Sequence, residues 1–429
     1  MVRRHPSAPP AVGWIARTLE EAGFETWTVG GAVRDALLGV ASVDWDFTTR
    51  ARPEQVQRLF KRTVPVGIDH GTVGVLARDG TMYEVTTFRR DVTTDGRHAT
   101  VEFADRVEDD LSRRDFTINA VAWHPLRDEL LDPFGGVQDL EKGLLRTVGS
   151  PADRFSEDYL RVLRALRFAG RFDLLIDPPT WEAVRAAHGR LGRLAPERVR
   201  EELLKVLSLD ARPSTSLSLY ADSGVLAELM PELAAQVGTP REGAPVDDWG
   251  YALRVADALT RRRPLLRLAA LLQATSARAA AQLLVRLRFA NAQSDAVGAL
   301  VRAGGGPPPS TATPADLRRW LSRVGPGRLI DLARIWCAQE RVERALGVAR
   351  PLDAAAGWRT LRAELRTGPA LAVTDLAVDG NDLIRSGLKP GPRFGRILET
   401  LLERVLEDPT LNDRDRLMAM AAELAEAGE

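Results

Sequence analysis

The feature that most constrains this sequence is the confinement of strand patterns to its first 150 residues. Short runs such as Thr26-Trp27-Thr28-Val29 alternate there with helical patterns, and residues 74–77 and 82–88 flank Arg78-Asp79-Gly80-Thr81 as the arms of a β-hairpin would. After Ser150-Pro151 the chain is a succession of amphipathic helical patterns broken at prolines and glycines. We therefore predict an α+β head, with a mixed or antiparallel sheet and helices, followed by an all-α remainder.

The length of the chain predicts several modules. Its 429 residues exceed what one hydrophobic core usually organises. Breaks in the helical patterns divide the remainder, so we expect a head at residues 1–150, a neck at 151–210, a helical body at 211–366 and a helical tail at 367–429.

Charge is distributed unevenly although the totals cancel. The chain has 59 basic and 59 acidic residues, yet residues 251–350 contain 17 arginines and 6 acids, a balance of 17 − 6 = +11. A neutral protein with one basic stretch is typical of a local polyanion-binding surface. A general preference for arginine over lysine in this sequence would produce the same count, so charge alone leaves both interpretations open.

Composition also indicates where the protein works. The single cysteine, Cys337, falls inside an apolar helical pattern, which favours a buried thiol and a reducing, cytoplasmic setting. The N-terminal stretch lacks the apolar run of a signal peptide, and no segment reaches the roughly 18 apolar residues of a membrane span. We expect a cytoplasmic protein without a membrane partner, and the sequence leaves its oligomeric state open.

A strand that runs into two glycines and then a helix is the first candidate site. Gly30-Gly31 follows the strand pattern at residues 26–29, and Arg34 lies one turn into the helical pattern. Glycines let backbone N–H groups approach a triphosphate, a helix N-terminus adds its positive dipole, and arginine supplies a charged fork. A tight structural turn is the alternative for the glycines taken alone.

Two carboxylates follow this turn at short range. Asp44 and Asp46 alternate with Trp45, and alternate residues of a strand project from one face, about 7 Å apart along the chain. Oxygen ligands of this kind suit Mg²⁺, which completes its shell with waters and substrate phosphates. Glu84, in the second arm of the hairpin, offers a third carboxylate that could orient or deprotonate a nucleophile in two-metal phosphoryl transfer.

These residues, in this order, resemble the start of the tRNA nucleotidyltransferase and bacterial poly(A) polymerase family. Further motifs of its second class follow over about 140 residues: Arg113-Arg114-Asp115-Phe116-Thr117-Ile118-Asn119-Ala120, then Leu131-Asp132-Pro133-Phe134-Gly135-Gly136, then the segment from Arg154 to Phe168 that contains Glu157-Asp158-Tyr159-Leu160-Arg161. The match is close in the head and neck and looser in the helical remainder.

The resemblance implies an enzyme that adds CCA to the 3′ end of tRNA from CTP and ATP, without a template, by Mg²⁺-dependent nucleotidyl transfer. It implies catalytic and metal-binding roles for Asp44 and Asp46, with Glu84 nearby. It also implies nucleotide contacts by the following residues: Gly30, Gly31, Arg34, Arg114, Asp158, Arg161, Arg164 and Arg167. A poly(A) polymerase, a CC-adding or A-adding relative and, from another class, a catalytically inactive RNA-binding protein remain alternatives.

The spacing of Asp158 and Arg161 suggests how a protein could choose bases. Three residues apart on a helix, they would lie on one face and address a base edge together. Cytosine and adenine both present an exocyclic amine beside an unprotonated ring nitrogen, which a carboxylate acceptor and a guanidinium donor complement. Guanine and uracil present the reverse arrangement, so one residue pair could accept C and A and exclude G and U.

Two further segments bear on specificity. The polar stretch at residues 89–99 resembles the flexible loop that full CCA-adding members use to switch from C to A addition, which favours the complete activity. In the body, Leu268-Ala269-Ala270-Leu271-Leu272 is followed by Gln273-Ala274, where members with a metal-dependent phosphohydrolase domain have His-Asp. We therefore expect a degenerate HD-like region without phosphatase activity, retained for packing or tRNA contact.

Overall fold

A computed structural model describes residues 5–42, 44–94, 99–309, 311–385 and 391–426. The chain divides into two compact units, one formed by Met1–Glu202 with Thr215–Leu229 and the other by Leu203–Ser214 with Met230–Glu429. The four-module division made from the sequence is finer than this one and stays a prediction.

The strands all belong to the first unit, and up to β10 they alternate with five helices, as the sequence patterns indicate. The strands are β1 Thr26–Val29, β2 Asp46–Thr49, β3 Thr63–Gly67, β4 Thr72–Leu76, β5 Met82–Thr87, β6 Arg89–Thr94, β7 Ala99–Phe103, β8 Ala122–His124, β9 Glu129–Leu131, β10 Leu144–Leu145 and β11 Leu175–Ile176. The helices among them are α1 Pro10–Glu21, α2 Gly31–Leu37, α3 Pro53–Leu59, α4 Val107–Ser112 and α5 Gly136–Lys142.

Among the described residues, seven strands form the main sheet in the order β3-β4-β5-β2-β1-β8-β9. β2 pairs with β5 in parallel, and the other neighbours pair antiparallel, so the predicted mixed sheet is confirmed. The predicted hairpin is confirmed as β4 and β5. Its turn uses Gly80 at φ 85°, a left-handed conformation that glycine adopts without strain, and the Asp79 carboxylate accepts the Thr81 amide at 2.9 Å.

Alternation along β2 and β5 gives the sheet one apolar and one functional face. Phe47 and Val85 lie side by side in the parallel register, and both are buried. The residues before them, Asp46 and Glu84, therefore project from the opposite face. Packing of the aromatic and β-branched residues thus determines which face carries the acids.

β6 and β7 form a separate two-stranded antiparallel ribbon, in which Arg89 lies opposite Phe103 and Arg90 opposite Glu102. This ribbon contains part of the stretch that resembles the specificity loop. Residues 95–98, at its centre, lie outside the described residues, so the switching role of this stretch stays a prediction.

After β10 the chain is almost wholly helical, as predicted. The helices are α6 Pro151–Glu157, α7 Leu160–Phe172, α8 Pro178–Ala186, α9 Pro196–Leu209, α10 Pro213–Asp222, α11 Val225–Leu229, α12 Pro231–Ala234, α13 Asp248–Ala258, α14 Pro264–Leu271, α15 Ala277–Arg286, α16 Asn291–Arg302, α17 Pro314–Val324, α18 Leu329–Ala345, α19 Ala354–Arg366, α20 Gly380–Arg385, α21 Pro392–Glu407 and α22 Arg414–Glu426. No helix in the described ranges is both long and apolar enough to cross a membrane.

The prediction of a buried thiol is wrong, because Cys337 is exposed on α18. The apolar stripe of α18 runs through Leu332, Ile335, Trp336 and Val342, at spacings of three, four and seven residues. Cys337 follows Trp336 directly and so lies about 100° around the helix, beyond the edge of that stripe.

The segment that resembles a degenerate HD motif lies at the C-terminal end of α14. Arg267 is buried there, and its guanidinium donates to four backbone carbonyl oxygens, among them those of Leu207 and Leu259 at 3.0 and 2.8 Å. Gln273, at the position of the missing histidine, donates to the Leu300 carbonyl at 3.2 Å. This region is therefore held by packing and by side-chain hydrogen bonds to backbone carbonyls.

Candidate active site

A polar cavity of about 400 Å³ opens in the first unit, between the functional face of the sheet and the helices that follow it. It brings together most of the residues predicted from the sequence. Its lining consists of Val29, Asp46, Phe47, Thr72, Glu84, Thr86, Arg89, Asp110, Arg113, Arg114, Asp115, Asp158, Leu160, Arg161, Arg164 and Arg198.

The acids cluster at the sheet side of this cavity. β2 begins only at Asp46, so Asp44 lies before the strand and is exposed, whereas Asp46 is partly buried. Burial, together with repulsion from Asp44 and Glu84, raises the pKa of Asp46 to about 7, against a smaller opposing effect of Arg114. Three carboxylates therefore share a region that favours a cation.

Gly30 is required by both its conformation and its neighbour. It stands between β1 and α2 at φ 78° and ψ −138°, a conformation open essentially to glycine alone. A Cβ atom on Gly30 would lie 3.0 Å from Nη1 of Arg114. The Arg114 guanidinium also donates to Asp110 at 3.2 Å, so it is held in place against the Gly30 backbone.

Arg34 lies behind the cavity instead of lining it. Its guanidinium is buried, donates to Asn119 Oδ1 at 2.5 Å and to Asp35 Oδ1 at 2.7 Å, and lies over the rings of Phe168 and Phe172. Burial lowers the pKa of Arg34, and the Asp35 charge opposes that effect. The residue connects α2 to α7, and its predicted direct nucleotide contact stays a prediction.

Arg164 of α7 does line the cavity and is paired with a buried acid. Its guanidinium donates to Asp115 Oδ2 at 2.7 Å. Burial alone would raise the pKa of Asp115, but Arg164 and hydrogen bonds from Asn119 and the Phe116 amide lower it to about 2. Asp115 is therefore ionised at neutral pH and holds Arg164 in a fixed orientation.

Arg167, one turn further along α7, lies outside the lining. Its Nε donates to Glu202 at 2.7 Å, both side chains are buried, and the guanidinium lies 4.3 Å from the Phe168 ring centroid. This pair fixes α7 against α9. A direct contact of Arg167 with a nucleotide likewise stays a prediction.

Asp158 and Arg161 both reach the cavity, but they do not share a helix. Asp158 lies between α6 and α7 at φ −156° and ψ 105°, because its carboxylate accepts the Leu160 amide at 3.0 Å and so begins α7. Arg198 of α9 donates to both oxygens of that carboxylate at 3.1 and 2.7 Å. Arg161 is held by Glu157 and two backbone carbonyls.

Sequence reasoning missed several residues of this lining, above all Arg198. Its partner, Asp158, is 40 residues earlier in the chain, so no local spacing predicts the pair. Asp110, Arg113 and Asp115 also line the cavity, and two of them belong to the motif at residues 113–120, in which the resemblance implies a role for Arg114 alone. The clustering of charge at residues 108–115 was a usable signal.

The donor set determines which metal this cavity could hold. Among the described residues, no group of three or more His, Cys, Asp or Glu side chains is arranged to hold a metal ion by itself. An ion near Asp44, Asp46 and Glu84 would therefore take its remaining ligands from water and substrate phosphates. That incomplete set of hard oxygen donors fits Mg²⁺ and does not fit a structural zinc or iron site.

Comparison with known proteins places this cavity in a family. A model of the poly A polymerase head domain matches residues 26–146, a model of the probable RNA and SrmB-binding site of polymerase A matches residues 173–237, and a model of a putative tRNA nucleotidyltransferase domain 2 matches residues 266–421.

Relatives match over almost the whole length. The chain is 35% identical to the CCA-adding enzyme of Geobacillus kaustophilus over 97% of both sequences. It is 33% identical to that of Limosilactobacillus fermentum over 96% of both. The chain belongs to the CCA-adding enzyme family. It is therefore an enzyme, a tRNA nucleotidyltransferase, and the resemblance seen in its motifs is confirmed.

Solved structures of the CCA-adding enzyme family share the fold. The Bacillus stearothermophilus CCA-adding enzyme in complex with CTP matches with a TM-score of 0.70 and 30% identity, over 98% of both chains. The Thermotoga maritima CCA-adding enzyme, solved in complex with tRNA, matches with a TM-score of 0.59 over 98% and 97% of the chains, and its 21% identity supports the fold alone. The predicted α+β head with a helical remainder is confirmed.

Proposed function

We propose that this protein adds CCA to the 3′ end of tRNA from CTP and ATP and releases pyrophosphate at each step. The observation that carries the proposal is the cavity itself, in which Asp46 and Glu84 face arginines of α7 and α9 across a space of nucleotide size. Similarity to CCA-adding enzymes along the whole chain supports it. The protein would act in the cytoplasm, where its tRNA and nucleotide substrates are present.

The family is normally metal-dependent, and Asp44, Asp46 and Glu84 are the residues that would hold Mg²⁺ here. Burial and mutual repulsion of these acids provide the electrostatic reason. Bound Mg²⁺ supplies charge neutralisation on the triphosphate and a lower pKa for the attacking hydroxyl. The remaining chemistry is positioning, which the protein side chains perform.

Phosphate binding falls to the basic side of the cavity. Arg114, held against Gly30, and Arg164, held by Asp115, present guanidinium groups whose orientation is set before the nucleotide arrives. Preorganised donors of this kind stabilise charge that develops on phosphate oxygens. Arg34 and Arg167 contribute by fixing α7 to the elements beside it.

Base selection falls to Asp158 and Arg161. An ionised carboxylate has about four acceptor positions, and in Asp158 three are filled by two donors of Arg198 and the Leu160 amide. One position is left for an exocyclic amine, which cytosine and adenine present and uracil and guanine do not present at that place. Arg198 thus orients the carboxylate that reads the base.

The experiment is addition of labelled CTP and ATP, singly and together, to tRNA transcripts that end before CCA, after C or after CC. Products that stop at CCA from all three transcripts support the proposal. Arrest after CC, addition only to the CC end, or a long adenylate ladder would instead indicate a CC-adding enzyme, an A-adding enzyme or a poly(A) polymerase.

A pair of variants separates catalysis from binding. Asp46→Asn should abolish addition while tRNA still binds, and the matched Glu21→Gln, at an exposed position on α1, should change neither property. Normal binding without any addition by the wild-type protein would refute the proposal and favour an inactive RNA-binding protein.

A further inference from the structure

Exposed apolar side chains gather at one edge of the main sheet. Val64 and Val66 of β3 and Met82 of β5 are 42%, 42% and 44% exposed, although strand residues of this kind are commonly buried. Val66 and Met82 close over Gly74 of β4, since a Cβ atom at Gly74 would lie 2.9 Å from Val66 Cγ2 and from Met82 Sδ. We call Val64, Val66 and Met82 the apolar shelf.

Strand register places this shelf on the face of the sheet that carries the acids. Val64 lies opposite Gly74, and Gly74 lies opposite Glu84. Directly opposed residues in antiparallel strands point to the same face. Met82 lies two residues before Glu84 on β5, about 7 Å along the strand, and strands lie about 4.8 Å apart, so Val64 and Val66 on β3 lie about 10 Å across the sheet from β5.

The order of strands gives the shelf a position relative to the reaction. From β1 to β3 across the sheet, Gly30 with Arg114 comes first, then Asp46, then Glu84, which shares β5 with Met82, and last Val64 and Val66 of the shelf. In-line nucleotidyl transfer requires the attacking hydroxyl and the departing pyrophosphate on opposite sides of the reacting phosphorus. With the triphosphate at Arg114, the attacking RNA end comes from the side of the shelf.

We propose that the apolar shelf binds the base of the 3′-terminal nucleotide of the RNA being extended, the nucleotide that carries the attacking hydroxyl. The inference rests on the proposed function and adds a binding site for the second substrate. An apolar platform accepts any base, because every base has an apolar face, which suits a primer that ends successively in different nucleotides. Lys61 and Arg62, exposed just before β3, supply charge for the adjoining phosphates.

A protein partner that extends the sheet is a less suitable occupant of this edge. Pro65, at the centre of β3, has no N–H to donate, and the register shifts between Pro65 and Gly67. Both features blunt an edge strand against pairing with another chain. The apolar side chains beside the acids, and not the strand edge, form the binding surface.

The test combines a shelf substitution with removal of the primer base. Val66→Asn and Met82→Gln are compared with wild type on a minihelix RNA ending in cytidine and on the same RNA with an abasic 3′-terminal nucleotide that keeps its 3′-hydroxyl. We expect a shelf substitution alone, or removal of the primer base alone, to lower kcat/KM for the RNA by roughly tenfold, because each removes a few tens of Å² of buried apolar contact. Together they should lower it little further, and the KM for CTP should stay unchanged.

Controls keep the result interpretable. Leu175→Asn removes an apolar side chain that is 74% exposed on β11, and it should leave kcat/KM unchanged for both RNAs. Met82→Leu should retain activity if Met82→Gln acts through apolar contact. The inference would be overturned if the losses of kcat/KM from a shelf substitution and from the abasic RNA multiplied when combined. A changed KM for CTP, or altered self-association with normal RNA kinetics, would also overturn it. Failure of the proposed function would differ, because the wild type itself would form the wrong product or none; anisotropy of the two labelled RNAs would then test the shelf directly.

Discussion

Replacing Arg198 with methionine tests whether an arginine from α9 controls nucleotide choice through Asp158. The guanidinium makes two charge-assisted hydrogen bonds to the Asp158 carboxylate at 2.7 and 3.1 Å, with side chains 30% and 26% exposed. Hydrogen bonds to charged groups contribute about 1.5–3 kcal/mol, and partial exposure favours the lower end, which corresponds to roughly tenfold in rate. Methionine keeps the aliphatic length, so the loss should come from the guanidinium.

We expect Arg198→Met to lower kcat/KM for CTP and ATP about tenfold and to narrow their advantage over UTP and GTP, because the freed carboxylate can turn. Single-nucleotide incorporation into a tRNA minihelix measures both effects. Arg200→Met, on the same helix but outside the cavity lining, is the matched control. Adding Arg198→Met to Asp158→Asn should change little, since the two residues act as one unit. Unchanged efficiency and unchanged preference would refute the role of Arg198.

Asp44→Asn removes one carboxylate with little change of shape. Addition of both nucleotides should fall at least roughly 100-fold, a scale typical of losing one preorganised electrostatic contact, while filter binding of tRNA persists. Retained addition would contradict the metal-binding role. Gly30→Ala places a Cβ 3.0 Å from Arg114 Nη1 at a glycine-only φ and should raise the KM for CTP roughly tenfold, whereas Gly13→Ala, with no atom within 4 Å, should not. The pKa of Asp115 is about 2, below its ordinary 3.8, so its charge stabilises the fold above about pH 4 and less as pH falls towards 2. Asp115→Asn should therefore lower the thermal midpoint at pH 7, by a difference that shrinks below pH 3; an equal deficit at both would contradict this.

Local patterns predicted the parts of the fold that local forces determine. The β4–β5 hairpin was predictable because its turn depends on two local residues: the Asp79 carboxylate accepts a hydrogen bond within the turn, and Gly80 adopts its left-handed conformation. Asp44 and Asp46 were predictable as a pair because two residues of separation keep them together in any extended conformation. The helical remainder followed from the regular spacing of its apolar residues.

Contacts between distant segments were not predictable in this way. The place of Arg34 after two glycines predicts a phosphate contact, which stays a prediction, but it gives no sign that Asn119 and two phenylalanines of α7 surround the guanidinium. Spacing predicts Asp158 and Arg161 on one helix, whereas Asp158 lies between the end of α6 and the start of α7, where its carboxylate accepts the Leu160 amide. Only the folded chain brings Arg198 to Asp158.

Because β2 pairs with β5 in parallel, activity depends on the correct register of these two strands in an all-or-none way. Asp46 and Glu84 emerge together because Phe47 and Val85, each one residue later, are buried side by side. A slip of one residue in either strand would turn an apolar side chain towards substrate and bury an acid. Misaligned molecules would be inert, not slow. Damage to folding should thus reduce the amplitude of a single-turnover reaction and leave its rate constant unchanged, while a defect in chemistry should do the opposite.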